Sequence, residues 1–278
     1  MPKILAGEVE LYYEEQGAGA PLVLIPGFGT GLWIWFKQVP AFSKEFRTLA
    51  FDPRGVSRSD KPEAPMTIRT IADDLAALLR ALRIESAHIL GASFGGFVAQ
   101  EFALAYSEMT RSLTLCCTSF GGAHHVPPSV ETLQALASTK GLNTQQRVRE
   151  NLLLAFSPEF VERNREEVEK VIELRAQNFV PEHAYLNQLQ AALDFDAEER
   201  VSRISVPTLV LTGDADIIVP MQNSRNLAAR IPDARLVIIK GGSHTFFLEQ
   251  AEEVNAAVLD FIKGLEKEQD NEGQYRLR

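Results

Sequence analysis

Cysteine is nearly absent from this 278-residue chain: there are two, Cys116 and Cys117, and they are neighbours. A disulfide framework is excluded, and a mutual bond is disfavoured because adjacent side chains on a strand point to opposite faces. Runs of basic residues are absent too. Lysine and arginine total 28 against 37 aspartates and glutamates, a formal charge of -9, which leaves no electrostatic footprint for nucleic acid or an anionic membrane. No stretch approaches the ~18 consecutive apolar residues of a membrane span. Met1 to Gly7 carries no charged segment leading into an apolar one, so the expected location is the cytoplasm. No internal repeat or low-complexity tract is present. What remains is 45% hydrophobic and 23% charged, a globular composition that rules against disorder, collagen and coiled coil. A chain of this mass buries about three quarters of its unfolded surface and needs no metal or disulfide to hold its core.

Apolar periodicity places strands and helices in alternation. Val9 to Glu14 alternates in part and stops at Gly17-Ala18-Gly19, after which Pro21 to Ile25 reads as a buried strand. The opening is therefore expected to be a hairpin feeding a central strand. Arg47 to Phe51 is a further apolar run, stopped by Asp52-Pro53-Arg54-Gly55. From Thr67, an N-cap residue, Ile68, Ile71, Leu75, Leu78, Leu79 and Leu82 follow helical spacing. Ala87 to Leu90 predicts a strand, Phe94 to Tyr106 a helix and Arg111 to Cys117 another strand. Such alternation implies a parallel sheet with right-handed crossovers.

Between Thr118 and about Arg203 strand signals vanish. Helical stretches are predicted around Val130 to Ala137, Thr144 to Ala155, Pro158 to Gln177 and Glu182 to Leu193. Alternation resumes with a strand at Val206 to Thr212, a helix near Asn223 to Arg230, a strand at Ala234 to Lys240 and a last helix from about Glu249 to Lys267. The charged tail Glu266 to Arg278 is expected to fray. The expected organisation is an α/β core of residues 1–117 and 204–278, interrupted by a helical block at 118–203.

Gly91-Ala92-Ser93-Phe94-Gly95 stands between a predicted strand and a predicted helix, the setting that a Gly-x-Ser-x-Gly turn requires. A serine on so tight a turn needs neighbours without side chains two places before and two after. The helix starting there directs N–H groups and its positive dipole end at a developing oxyanion. The competing reading is a glycine-rich turn with an inert serine. A serine hydroxyl attacks only when a base takes its proton, so one of five histidines must reach Ser93. His88 lies within a strand and reads as a hydrogen-bonded core residue; His124 and His125 follow a strand beside Gly121-Gly122 and read as loop residues; His183 reads as surface. His244, in Gly241-Gly242-Ser243-His244, follows a strand and falls at the carboxyl end of the sheet, where α/β folds build sites. The turn Gly213-Asp214-Ala215-Asp216 comes to the same end. Either aspartate could orient His244, the rival role for both being turn capping. Serine, acid and histidine then occur in the chain order of this topology.

Together these segments resemble the α/β-hydrolase superfamily over about Leu22 to Ile262, with the helical block as its cap. The resemblance is carried by Ile25-Pro26-Gly27-Phe28-Gly29, Phe51-Asp52-Pro53-Arg54-Gly55, the turn at Ser93, Gly213 to Pro220, and Ser243-His244 with Glu249. It implies an α/β-hydrolase fold: a mostly parallel central sheet, flanking helices and an inserted helical cap. It further implies Ser93 as nucleophile, Asp216 rather than Asp214 as the acid, His244 as the base, and an oxyanion hole from the backbone N–H groups of Phe28 and Phe94, with no cofactor and no metal. Three positions depart from the family's usual pattern. Pro26 stands where many relatives have histidine, Ser57 replaces a glycine in Arg54-Gly55-Val56-Ser57-Arg58-Ser59, and Ser243 replaces the glycine before the histidine. None removes a catalytic group.

Serine rather than aspartate at the turn favours acyl transfer over dehalogenation or epoxide opening. Gly29-Thr30, Trp33 to Trp35 and Thr118-Ser119 are similar to 3-oxoadipate enol-lactonases. The implied activity is hydrolysis of a small-molecule carboxylic ester or lactone. A meta-cleavage carbon–carbon bond hydrolase is the second reading. A non-catalytic small-ligand receptor on the same fold is the third, opposed by the intact Ser93, Asp216 and His244. Phe120, Leu152, Phe156 and Tyr185 are candidates for the apolar wall of the substrate pocket, with packing among the helices the equal alternative for each. The oligomeric state, homo-oligomer included, is left open by the sequence.

Overall fold

The computed structural model describes residues 3–137 and 144–276. Its strands are β1 (Lys3–Ala6), β2 (Val9–Gln16), β3 (Pro21–Ile25), β4 (Arg47–Phe51), β5 (Ala87–Ala92), β6 (Thr110–Cys116), β7 (Thr208–Gly213) and β8 (Ala234–Ile239). They form one sheet in the order β1-β2-β4-β3-β5-β6-β7-β8. Pairing is parallel from β4 to β8; β1 with β2 and β2 with β4 are antiparallel. Strands β5 and β7 are buried along their whole length, as a parallel sheet covered on both faces requires.

The expected opening hairpin is corrected by this order. The hairpin is β1–β2, turned at Gly7 with φ +66°, while β2 and β3 lie on opposite sides of β4 and do not pair. The cause is burial: β3 is apolar throughout and takes a neighbour on each edge, whereas β2 ends in exposed Glu14, Glu15 and Gln16 and suits the outer position.

Helices α1 (Val39–Phe42), α2 (Ile68–Ala81) and α3 (Phe94–Ala105) come from the first half. The segment between β6 and β7 adds α4 (Val130–Ala137), α5 (Thr144–Ala155), α6 (Pro158–Arg163), α7 (Arg165–Gln177) and α8 (Glu182–Leu193). The chain closes with α9 (Gln222–Arg230), α10 (Phe246–Glu249) and α11 (Ala251–Arg276). Strand alternation sends Val23 and Ile25 into one core, with Ile71, Leu75, Val98 and Phe102 of α2 and α3. Leu22 and Leu24 enter the other, with Trp35, Phe42, Phe246 and Val258. At the start of α2 the Thr70 amide donates to Thr67 Oγ1 at 3.1 Å, the N-cap that the spacing predicts.

Two helix boundaries differ from expectation. The stretch Pro158 to Gln177 is two helices, because Asn164 leaves helical geometry and its side-chain amide takes the Phe160 carbonyl at 3.3 Å. The last helix does not fray at Glu266 but continues to Arg276, in keeping with the strong helix formers Glu266 to Gln269. Among the described residues of the segment between β6 and β7 the one ladder contact is an isolated bridge, Gly121 to Asp196. Among the described residues, no helix is long and apolar enough to cross a membrane.

Candidate active site

Strand β5 ends at Ala92 and α3 begins at Phe94, which leaves Ser93 alone to reverse the chain at φ +54° and ψ -120°. A non-glycine residue at positive φ is strained and persists only where its surroundings hold it. They do so through backbone contact. The Ser93 amide donates to the Cys116 carbonyl at 2.8 Å, and Thr118 Oγ1 donates to the Ser93 carbonyl at 2.8 Å. A Cβ on Gly91 would stand 2.2 Å from the Gly95 carbonyl oxygen, and one on Gly95 would stand 2.2 Å from that of Ile25. The two glycines of the motif are therefore demanded by the crossing of the turn with itself and with the end of β3.

That crossing brings the loop after β3 against the serine. A Cβ on Gly27 would lie 3.6 Å from Ser93 Cβ. Phe28 follows Gly27, and Phe94 opens α3, where the first N–H has no acceptor within the helix. The Phe28 ring packs edge-on against Phe94, centroids 6.0 Å apart, and against Tyr185 of α8 at 4.9 Å.

His244 reaches this point from the loop after β8. Its Nε2 is 3.1 Å from Ser93 Oγ, and its Nδ1 is 2.9 Å from Asp216 Oδ2. A carboxylate only accepts, so Nδ1 carries the proton and Nε2 presents its lone pair to the serine hydroxyl. The His244 side chain is 13% exposed and that of Asp216 is fully buried. Asp216 Oδ1 accepts the amides of Ile218 and Val219 at 2.8 and 2.9 Å, which fixes the carboxylate with its other oxygen toward the ring. Asp214 is exposed and accepts the Gly241 amide at 2.6 Å. It ties the β7 turn to the β8 turn and does not approach His244. The two turns meet closely enough that a Cβ on Gly213 would stand 2.0 Å from the Gly242 carbonyl oxygen.

The other histidines take structural places. His88 Nδ1 meets Ser112 Oγ at 2.8 Å in the core. His124 meets Glu198 and His125 meets Ser119 Oγ, while His183 lies 3.2 Å from the Lys61 carbonyl oxygen. Cys116 and Cys117 are both free and buried. Of the four candidate wall residues, Tyr185 touches Phe28. Phe120 is fully buried beneath the Arg230 guanidinium, and Phe156 stacks on Phe160, so both serve packing.

Arg175 and Gln188 were not foreseen. Arg175 of α7 is partly exposed along its length, yet its guanidinium lies against the loop after β3: a Cβ on Gly29 would stand 2.7 Å from one of its Nη atoms. Burial lowers its pKa to about 10, and among the described residues no carboxylate pairs with it. Its guanidinium makes a long contact, 3.4 Å, to the Asn178 carbonyl. Gln188 of α8 is buried and accepts the Gly29 amide at 2.9 Å. Nothing in their helices' mixed polar pattern marks either residue.

The profile of the alpha/beta hydrolase fold family matches residues 20–251. The chain belongs to the α/β-hydrolase fold family. Among its relatives, a protein of Azorhizobium caulinodans provisionally named carbamate hydrolase RutD is 31% identical over 261 residues, 94% of this chain and 98% of that one. The enol-lactonase from Burkholderia xenovorans superposes with a TM-score of 0.83 at 28% identity, covering 94% of this chain and 100% of that chain. The meta-cleavage product hydrolase from Pseudomonas fluorescens superposes at 0.82 with 26% identity, over 95% and 98%. Two of this α/β-hydrolase's departures now have local accounts. Ser57 sits at φ +45°, a conformation that glycine adopts without strain, and Ser243 uses its hydroxyl to donate to Glu249.

Proposed function

We propose that the chain is a serine hydrolase that cleaves small carboxylic esters or lactones through an acyl-enzyme on Ser93, with residues 118–203 forming a cap over the site. The observation that carries this reading is the continuous hydrogen-bonded path from Ser93 Oγ through both nitrogens of His244 to the buried Asp216. His244 takes the hydroxyl proton as Ser93 attacks the carbonyl carbon, and Asp216 stabilises the imidazolium that forms. The tetrahedral oxyanion is bound by the amides of Phe28 and Phe94, each such donor being worth about 3 kcal/mol of barrier. Collapse passes the proton from His244 to the leaving oxygen. Water then repeats the cycle on the acyl-enzyme and releases the acid.

Arg175 narrows the substrate class. The Arg175 guanidinium lies against Gly29 with no carboxylate paired to it among the described residues, which suits charge-assisted hydrogen bonds to an anion, so the preferred ester or lactone bears an anionic group near Gly29. The enol-lactonase likeness supports a lactone. The likeness to a meta-cleavage product hydrolase supports carbon–carbon cleavage by the same groups as the second reading, and the relative provisionally named carbamate hydrolase adds carbamates to the compounds worth assaying. The test is hydrolysis of a short-chain aryl ester by wild type and Ser93→Ala, followed by an enol-lactone, a carbamate and a vinylogous diketone. Turnover is expected to vanish in Ser93→Ala while the melting temperature stays within a few degrees. Equal turnover in that variant rejects Ser93 as nucleophile.

A further inference from the structure

The block between β6 and β7 grips both loops that carry the chemistry, at separate places. At the first, Gln188 of α8, 1% exposed, accepts the Gly29 amide at 2.9 Å across 159 residues of sequence. That amide belongs to the peptide directly after Phe28, so the contact anchors the loop segment one peptide away from the Phe28 N–H. Gly29 itself is at φ +60°, and the loop has one further clasp of its own, Thr30 onto the Gly27 carbonyl.

At the second place the carboxylate of Glu249 gathers donors from both sides of the junction. It accepts the Ser157 amide at 2.9 Å, Ser157 Oγ at 2.6 Å and Ser243 Oγ, and its Oε1 stands 3.0 Å from Thr245 Oγ1, whose single proton it shares with the Ala155 carbonyl. The Thr245 amide and hydroxyl both donate to the Ala155 carbonyl, at 3.1 and 2.9 Å. Ser243 and Thr245 flank His244; Ala155 ends α5, and Ser157 is the N-cap of α6. Every donor to Glu249 is neutral, so the carboxylate's negative charge is met by fixed hydrogen bonds, and its geometry is set by the two segments it joins.

We propose that Gln188 and Glu249 are positioning residues: through them the inserted helices hold the oxyanion loop and the base loop in register with Ser93. The proposal rests on the hydrolase reading above. Neither residue touches the reacting atoms. Each acts through a neighbour, Gln188 through Phe28 and Glu249 through His244. A helical block that only covered the site would need neither contact.

The test uses the full chain and three readouts: kcat and KM for an aryl ester, the Ki of an alkyl boronic acid that mimics the tetrahedral intermediate, and the rate of Ser93 labelling by a fluorophosphonate. Gln188→Met removes the acceptor at nearly constant volume. It is expected to lower kcat roughly tenfold or more with KM within about threefold, and to weaken the boronate by the same factor, since loss of alignment is felt in the transition state. Gln188→Asn, which keeps the amide but withdraws it by one carbon, gives the same split should the methionine variant not fold. For Glu249, Ser157→Ala and Ser243→Ala each slow Ser93 labelling, and their double variant is less than additive because both hydroxyls report on one carboxylate. A kcat within twofold of wild type in both Gln188 variants, or a fall in kcat with unchanged boronate affinity, overturns the role of Gln188. Additive serine effects overturn that of Glu249. A wild-type chain that the fluorophosphonate does not label overturns the hydrolase reading and this inference together, whereas a labelled wild type with unaffected variants overturns this inference alone.

Discussion

Replacing Asp216 by asparagine separates the two aspartates that the sequence leaves in competition. Asp216 accepts three hydrogen bonds, two from the Ile218 and Val219 amides through Oδ1 and one from His244 Nδ1 through Oδ2. The amide oxygen of an asparagine keeps the two backbone donors by retaining the Oδ1 position. Its NH2 then faces Nδ1 and forces that nitrogen to accept, which moves the ring proton to Nε2 and leaves no base opposite Ser93. Wrong-tautomer substitutions of this kind cost about 10⁴ in kcat in serine proteases, or ~5 kcal/mol of barrier at 1.36 kcal/mol per decade. In Asp214→Asn the amide oxygen still accepts the Gly241 N–H, so turnover is expected to stay within about threefold, ~0.7 kcal/mol. The assay is steady-state hydrolysis of an aryl ester at pH 8, with near-ultraviolet circular dichroism to verify the fold. A ratio of Asp214→Asn to Asp216→Asn turnover below about ten would refute the reasoning and remove Asp216 from its place behind His244.

Three further outcomes are expected. Burial lowers the His88 pKa from 6.5 to about 4, with the Arg111 charge adding to the effect. The unfolded chain thus binds this proton first as pH falls, so stability is intact above pH 6.5, declines toward pH 4 and then levels. Urea midpoints should show a loss of roughly 2 kcal/mol between pH 7.5 and 5, and an identical loss in His88→Gln would reject the assignment. Arg175→Met should lower kcat/KM for an ester with a free carboxylate by about 10- to 150-fold, the span of a charged hydrogen bond, while sparing its neutral methyl ester; parallel losses on both would count against an anion site. Gly95→Ala places a methyl 2.2 and 2.6 Å from the Ile25 and Pro26 carbonyl oxygens. It should cost about 1–3 kcal/mol by thermal unfolding, abolishing turnover as β3 is pushed off the turn, and an active, equally stable variant would show that the crossing yields.

The parts of the site legible in the sequence are those governed by local sterics. Gly91 and Gly95 announce the turn because no side chain fits the crossing, and His244 announces itself by following a strand into a loop at the carboxyl end of the sheet. The choice between Asp214 and Asp216 is not local. It depends on which carboxylate the Gly241 amide captures, and the family likeness decides it where spacing does not. The strand order is not local for a related reason: neighbours in sequence tend to pair, but the demand of an all-apolar β3 for two buried edges inserts β4 between β2 and β3. Whether Phe120 and Phe156 wall a pocket or pack the core is open in the sequence because aromatic residues in a helical block have no fixed facing until the block is packed. Arg175 and Gln188 were invisible for the same reason, their roles resting on contacts with a loop about 150 residues earlier.

That loop is where selectivity and rate become one property. Gly29 receives Arg175 from α7 and Gln188 from α8, and the residue before it is Phe28, whose amide the proposed mechanism aims at the oxyanion. An anion bound by Arg175 would neutralise a guanidinium that lies against Gly29, while the adjoining peptide is held by Gln188. Substrates with the anionic group should therefore gain in kcat as well as in KM, because the group bound by Arg175 acts on the loop that stabilises the transition state. A substrate lacking it meets the same Ser93, His244 and Asp216 with the Arg175 charge still unneutralised beside Gly29. On the proposed mechanism the helices between β6 and β7 bear on the chemistry through backbone position, which would let a segment with no side chain in the proposed triad influence what is cleaved.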